Sequence, residues 1–271
     1  MKTYIMKKIT VMLLFMCCAL AAMAQYKRVN DIPYTPISKD AYSDERCSLD
    51  VYYPTEVKDA PVIVWFHGGG IEGGRKEIPS QLENSGMVII GVNYRLLPKA
   101  KIEDILDDTA AAVAWAFKHC EEYNGSPKKI FLSGHSAGGY LIDMIGLDKQ
   151  YLAAYNIDAN DVAGLIPFSG QCITHYNVRR SQGIGPLQPT IDNFAPISFL
   201  RADAAPMIII SGDRELELYG RYEEQAYFYR MCLLNGMKDV KLYEMQGYDH
   251  GQMPFPAFNI MKKEIKRILA K

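Results

Sequence analysis

Ser136, in Gly134-His135-Ser136-Ala137-Gly138-Gly139, is the side chain best placed to act as a nucleophile. It follows the β-rich run Lys129-Ile130-Phe131-Leu132 and precedes a helix-like segment from Tyr140. Glycines on either side of a serine permit a sharp strand-to-helix turn, which lifts the hydroxyl clear of the sheet. A hydroxyl attacks a carbonyl only when a base takes its proton. The chain has five histidines. His67 and His135 lie inside glycine-rich motifs, His119 ends a predicted helix, and His175 falls in an irregular stretch. His250, in the loop Gly247-Tyr248-Asp249-His250-Gly251 after a predicted strand, is the expected base.

The imidazole needs an acid to hold it and to stabilise its charged form. Asp213, Glu215 and Glu217 all follow the predicted strand Met207 to Ser211. Aspartate is the commoner acid, which favours Asp213. A carboxylate several residues past the strand end, as in Gly-x-x-Asp, favours Glu215 in Gly212-Asp213-Arg214-Glu215. Glu215 is the expected acid and Asp213 the alternative; whichever is unused is expected to be a hydrogen-bonding neighbour or a helix cap. Asp249 reads as a solvated loop residue. Attack on a carbonyl leaves negative charge on its oxygen, and backbone amides aimed there lower the barrier by about 3–4 kcal/mol each. Gly68 and Gly69 of His67-Gly68-Gly69-Gly70, with the amide of Ala137, are the expected donors. None of this chemistry calls for a metal or a cofactor.

These residues must be carried by a scaffold. The chain has 271 residues, 49% of them hydrophobic, enough for one α/β domain with a full core. A net charge of −1 and the lack of a long basic run argue against a nucleic-acid partner. Lys2, Lys7 and Lys8, the apolar run Ile9 to Ala21 and the small-x-small site Ala22-Met23-Ala24 read as a signal peptide over 1–24, with a mature domain over 25–271. The expectation is export to the periplasm or beyond, with no stable membrane span in the mature chain. A lipid anchor on Cys17 or Cys18 is disfavoured because Met16 and Cys17 stand where a small residue is needed. Cys47, Cys120, Cys172 and Cys232 could be paired or could be buried apolar side chains.

Strand-like and helix-like segments alternate. Cys47 to Tyr53 reads as an edge strand, and Pro61 to Phe66, Met87 to Tyr94, Ile130 to Ser133, Leu165 to Ser169, Met207 to Ser211 and Val240 to Met245 as further strands. Helices are expected over Ile102 to Cys120, Tyr222 to Leu234 and Ala257 to Leu269, the first interrupted on its apolar face by Thr109. Apolar strands separated by helices imply a mostly parallel sheet covered on both faces. Ligands then bind at the carboxyl ends of the strands, where the loops bearing His67, Ser136 and His250 emerge. The irregular segment Gln171 to Pro196 is expected to form a short lid, a wall of the pocket or a passive loop.

Together these motifs resemble the α/β-hydrolase superfamily, whose chain order is nucleophile, acid, histidine. Within it, the chain resembles the HGGG-type esterases and lipases akin to hormone-sensitive lipase, and most of all the compact BD-FAE branch with its acetyl and feruloyl esterases. The resemblance extends to Asn93-Tyr94-Arg95-Leu96, to Asp107-Asp108-Thr109-Ala110-Ala111 and to Trp115. It departs from the pattern at Glu215, where aspartate is usual, and at Ile71-Glu72-Gly73-Gly74, which lacks the aromatic residue often found there. The resemblance implies a twisted, mostly parallel sheet with a minimal lid. It also implies a serine carboxylesterase acting on small acyl esters, acetyl or feruloyl esters of glycans among them, through an acyl-Ser136 intermediate. An amidase, a formamidase or a small serine peptidase would use the same machinery, and a silent hydrolase fold could serve only for binding.

Overall fold

The computed structural model describes residues 25–35 and 40–271. The leader expected over 1–24 lies outside the described residues. Eight strands form one sheet: β1 (Tyr26–Pro33), β2 (Ser48–Pro54), β3 (Ala60–Phe66), β4 (Val88–Val92), β5 (Gly125–His135), β6 (Gly164–Phe168), β7 (Met207–Gly212) and β8 (Val240–Met245). Their spatial order is β1-β2-β4-β3-β5-β6-β7-β8. From β4 to β8 every neighbouring pair is parallel, while β1 and β2 run antiparallel at one margin. The expected edge strand is therefore second from the edge. β1, with the polar sequence YKRVNDIP, takes the outer place and is held by its ladder to β2.

Seven helices occur among the described residues: α1 (Ala41–Arg46), α2 (Ile102–His119), α3 (Ala137–Leu147), α4 (Lys149–Ala153), α5 (Tyr176–Ser181), α6 (Arg221–Leu234) and α7 (Pro254–Leu269). In α2, Ile102, Ile105, Leu106, Val113 and Ala116 are all buried, as the spacing predicts. Thr109 is tolerated in that stripe because its hydroxyl donates to the Ile105 carbonyl at 2.8 Å, four residues back. Acidic Glu103 and Asp104 in the first turn and basic Lys118 and His119 in the last match the helix dipole. The last helix starts earlier than expected, at Pro254, where proline is accommodated because a first-turn amide has no intrahelical acceptor.

The sheet separates two apolar cores. One packs β-strand residues such as Val62, Val64 and Leu132 against α2 and α3. The other packs Ile63, Trp65, Phe131 and Ile208 against Phe258, Met261 and Ile265 of α7. Burial of each such side chain contributes roughly 1.5–3 kcal/mol. A buried ion pair joins the loop after β4 to α2: Arg95 Nε and Nη2 each donate to an Asp108 carboxylate oxygen at 2.7 Å. Asn93-Tyr94-Arg95-Leu96 and Asp107-Asp108 are thus two halves of one clamp. Cys47, Cys120, Cys172 and Cys232 are buried and unpaired.

Candidate active site

Ser136 caps α3 at the end of β5 with φ 55° and ψ −114°, a backbone that side chains adopt only under constraint, at about 1–3 kcal/mol. Two features impose it. The Ser136 amide donates to the Phe168 carbonyl at 2.7 Å. A Cβ on Gly138 would run into the Phe66 carbonyl, so only glycine lets the helix approach β3 this closely. All eleven residues of α3 are buried, so the turn is anchored from behind.

His250 Nε2 lies 2.9 Å from Ser136 Oγ, and His250 Nδ1 lies 2.8 Å from Glu217 Oε2. A carboxylate only accepts, so Nδ1 donates to Glu217 and Nε2 is left to accept the serine proton. The structure thus brings Ser136 and His250 together. It does not bring Glu215 to them. Glu215 is exposed, and its amide donates to Asp213 Oδ1 at 2.9 Å. Asp213 faces away too, accepting from the Gly247 amide at 2.6 Å and so tying the acid loop to the histidine loop.

The acid position is therefore corrected to Glu217. After β7 the chain coils through one turn, with the amides of Leu216 and Glu217 both donating to the Asp213 carbonyl at 2.9 Å. That turn carries residue 217 back over the strand end, two positions beyond the expected one, and the longer glutamate arm covers the remaining gap. A signal existed. Glu217 is the carboxylate flanked by apolar neighbours, Leu216 and Leu218, whereas Asp213 and Glu215 flank Arg214.

Glu217 uses both oxygens fully. Oε1 accepts from Ser169 Oγ at 2.5 Å and from the Gly212 amide at 2.9 Å, while Oε2 accepts from His250 and from the Leu218 amide at 3.1 Å. Burial alone would raise its pKa. The contact with His250, followed by those from Ser169 and Gly212, overcomes burial and holds the carboxyl down at about 2. Ser169 is itself held in the left-handed region, φ 49°, and its carbonyl accepts from the buried Arg221 guanidinium. Sequence reasoning missed both residues.

Gly68 lies beside the nucleophile: a Cβ built on it would stand 3.4 Å from Ser136 Cβ. Gly69 and Gly70 have φ of +109° and +65°, and the amides of Glu72 and Gly73 donate back to the Gly69 carbonyl at 3.1 and 3.0 Å. The amide of Ala137 opens α3, where no intrahelical acceptor exists. Asn177 Nδ2 on α5 donates to the Gly70 carbonyl at 2.6 Å, and Arg180 makes two bonds to Glu72, at 2.5 and 2.6 Å. The irregular segment Gln171 to Pro196 therefore holds a helix that is latched to the glycine loop.

The remaining histidines are accounted for. His67 Nδ1 donates to the Gly68 carbonyl at 2.6 Å, and its ring stacks on Tyr94 at 4.4 Å. His135 Nε2 donates to the His250 carbonyl at 2.8 Å. Burial pushes both of these imidazoles down to about 4, with the charge of His250 a second cause for His135. His175 is fully buried as the N-cap of α5, and His119 pairs with Glu122 at 2.6 Å. Asp249 accepts from the amides of Gly251 and Gln252 and shapes the histidine loop. A cavity of about 670 Å³ lined by Trp115, Phe117 and Tyr155 contains none of the site residues. Among the described residues, no group of three or more His, Cys, Asp or Glu side chains is disposed to hold a metal ion.

A strand-turn-helix serine, an imidazole in hydrogen-bond reach of it, and a glycine loop at the neighbouring strand end form the constellation for acyl transfer. The BD-FAE family model matches residues 49–218, a span that contains Gly68, Ser136 and Glu217. The chain belongs to the BD-FAE family. Similar curated proteins include a probable carboxylic ester hydrolase, LipM, of Mycobacterium tuberculosis, 28% identical over 215 residues, covering 69% of this chain and 48% of that protein. Another is the probable isoprenylcysteine alpha-carbonyl methylesterase ICMEL1 of Oryza sativa subsp. japonica, 30% identical, covering 73% of this chain and 53% of that protein. The chain spans about half the length of these relatives. Among solved structures, a truncated carbohydrate esterase from gut microbiota superposes with a TM-score of 0.76 at 18% identity, covering 92% of this chain and 98% of that one. Esterase 2 of Thermogutta terrifontis superposes with a TM-score of 0.68 at 22% identity, covering 91% and 93%. This BD-FAE member has the α/β-hydrolase fold.

Proposed function

We propose that this BD-FAE member is an exported serine carboxylesterase that cleaves small acyl esters. One observation carries the reading: an unbroken hydrogen-bond path from Ser136 Oγ through His250 to Glu217. His250 Nε2 takes the serine proton as Oγ attacks the ester carbonyl. The amides of Gly68, Gly69 and Ala137 receive the charge on the carbonyl oxygen. Collapse breaks the bond to the alcohol, which leaves with the proton from His250, and acyl-Ser136 remains. Water, deprotonated by the same imidazole, then releases the acid. Glu217, already ionised and fully hydrogen-bonded, stabilises the imidazolium at each step.

Ester rather than amide cleavage is favoured because the similar curated proteins are named as ester hydrolases. Acylated glycans are the proposed substrates, in keeping with the name of the gut-microbiota carbohydrate esterase of similar fold and with the leader-like pattern at Lys2 to Ala24. Ser136→Ala is expected to abolish p-nitrophenyl acetate hydrolysis with the fold intact by circular dichroism, and to abolish labelling by a fluorophosphonate probe. Undiminished turnover in that variant would remove Ser136 as nucleophile. Sequencing the N-terminus of the secreted product tests export, with Gln25 as the expected first residue.

A further inference from the structure

The backbone carbonyl of His250 needs a partner that its own turn cannot supply. From Asp249 the chain coils towards α7, and the Met253 amide donates to the Asp249 carbonyl at 2.9 Å, four residues back. The next bond in that series would run from residue 254 to His250, but residue 254 is proline and has no N–H. His135 fills the gap: its Nε2 donates to that carbonyl at 2.8 Å, across 115 positions of sequence. Among the described residues no other hydrogen bond reaches the backbone of His250. We propose that His135 is a positioning residue, which sets the histidine loop against the nucleophile turn and the glycine loop. The proposal rests on the esterase reading of Ser136.

The imidazole touches all three segments. His135 immediately precedes Ser136, so its backbone belongs to the nucleophile turn. A Cβ built on Gly68 would stand 3.2 Å from His135 Nδ1, which puts that edge of the ring against the glycine loop. Its face packs on the His250 ring, with centroids 4.8 Å apart and planes tilted by 39°. A carbonyl only accepts, so Nε2 carries the proton and Nδ1 the lone pair.

The reaction explains why the base needs such an anchor. His250 Nε2 exchanges the serine for the departing alcohol and then for water, so its side-chain bonds alone do not keep it in one place through a turnover. The bond to its carbonyl takes part in no proton transfer and persists throughout. The anchor must also be uncharged, because a cation packed on the ring would oppose the imidazolium that forms there. Burial, followed by the charge of His250, holds the His135 pKa down at about 4, so the anchor is neutral when the base becomes a cation. Glutamine places an amide N–H at a reach similar to that of Nε2, whereas phenylalanine keeps the flat ring and loses the donor.

The test is steady-state turnover of p-nitrophenyl acetate together with one NMR signal. His135→Phe is expected to lower kcat about 10- to 100-fold with KM within about twofold, the loss that follows when a base is displaced by up to about an ångström. His135→Leu, also without a donor, takes its place should the phenylalanine variant not fold. His135→Gln is expected to recover most of the loss. Independently of turnover, the proton that His250 Nδ1 donates to Glu217 gives a far-downfield NMR signal, identified by its absence from Glu217→Gln. That signal is expected to move or broaden in the variant without a donor and to stay in place in His135→Gln. An undiminished kcat without the donor, equal losses in the glutamine variant, or an unmoved signal would overturn the assignment and leave the esterase reading intact. If the unaltered protein turns over no ester, the esterase reading falls; a displaced signal would still uphold His135 as the anchor of His250, and an unmoved one would overturn it.

Discussion

The Ser169 hydroxyl stands 2.5 Å from Glu217 Oε1 and 3.1 Å from His250 Nδ1, so one residue at the end of β6 touches both the acid and the base of the site. Its left-handed backbone and the bond from Arg221 to its carbonyl hold it there. Replacing Ser169 with alanine keeps the Cβ and removes only the hydroxyl. Ser169→Ala is expected to lower kcat for p-nitrophenyl acetate about 10-fold with KM unchanged, since an acid that is ionised but less well aimed still supports the base. An equal change in KM would point instead to a general collapse of the pocket.

Glu217 and Glu215 make opposite predictions. Glu217→Gln leaves the side-chain shape but removes the acceptor that fixes the His250 tautomer, and kcat is expected to fall by about 10³–10⁴-fold. Glu215→Gln, on an exposed side chain, is expected to stay within about twofold. Steady-state kinetics on the pair decides between the two acid assignments in one experiment.

Two contacts latch α5 to the glycine loop, and burial ranks them. Asn177 is buried and donates to the Gly70 carbonyl, whereas the Arg180 and Glu72 side chains are 54% and 38% exposed. A surface pair is worth at most about 1 kcal/mol, and a buried donor lost against a carbonyl costs about 1–3 kcal/mol. Asn177→Ala is therefore expected to reduce kcat about 10-fold by loosening the loop that carries Gly68 and Gly69. Arg180→Ala should alter it by less than about twofold. Equal effects would mean that the loop is held by something other than α5.

Acid should destabilise the protein in two stages. His67 and His135 have folded pKa values depressed to about 4, against about 6.5 when unfolded. Between those values the unfolded chain binds more protons, so stability falls as pH drops from about 6.5 to 4, by at most about 1.4 kcal/mol per pH unit for each histidine. Glu217, held at about 2, contributes stability that is present above about 4.5 and lost as pH falls from there towards 2. Urea unfolding at pH 7, 5.5 and 4 measures the first stage. A flat profile over that range would show that neither imidazole is kept neutral by the fold.

Much of this could be read from local pattern. Strands β3, β4, β6 and β7 announce themselves because each is an apolar run that a doubly covered sheet demands, β5 does so through Ile130 to Leu132, and α2 does so because its buried stripe recurs at helical spacing. Ser136 and His250 stand out because glycines and a post-strand loop mark them, and the structure sets them 2.9 Å apart. β1 escaped notice because its exposed, polar residues gain order only from pairing with β2, a partner more than twenty positions away in register at its start. Glu217 was passed over because its place depends on how tightly the chain coils after β7, which no spacing template encodes. Ser169 and Arg221 act only through other residues, so nothing in their immediate neighbours betrays them.

The four thiols among the described residues are all buried, and they have a practical use. Cys47, Cys120, Cys172 and Cys232 lie under the sheet's helical cover at 2% exposure or less. A maleimide or aromatic disulfide reagent can reach such sulfurs only while the interior is transiently ajar. Their rate of modification is thus a built-in stopwatch for breathing of the folded chain, readable without introducing any reporter group.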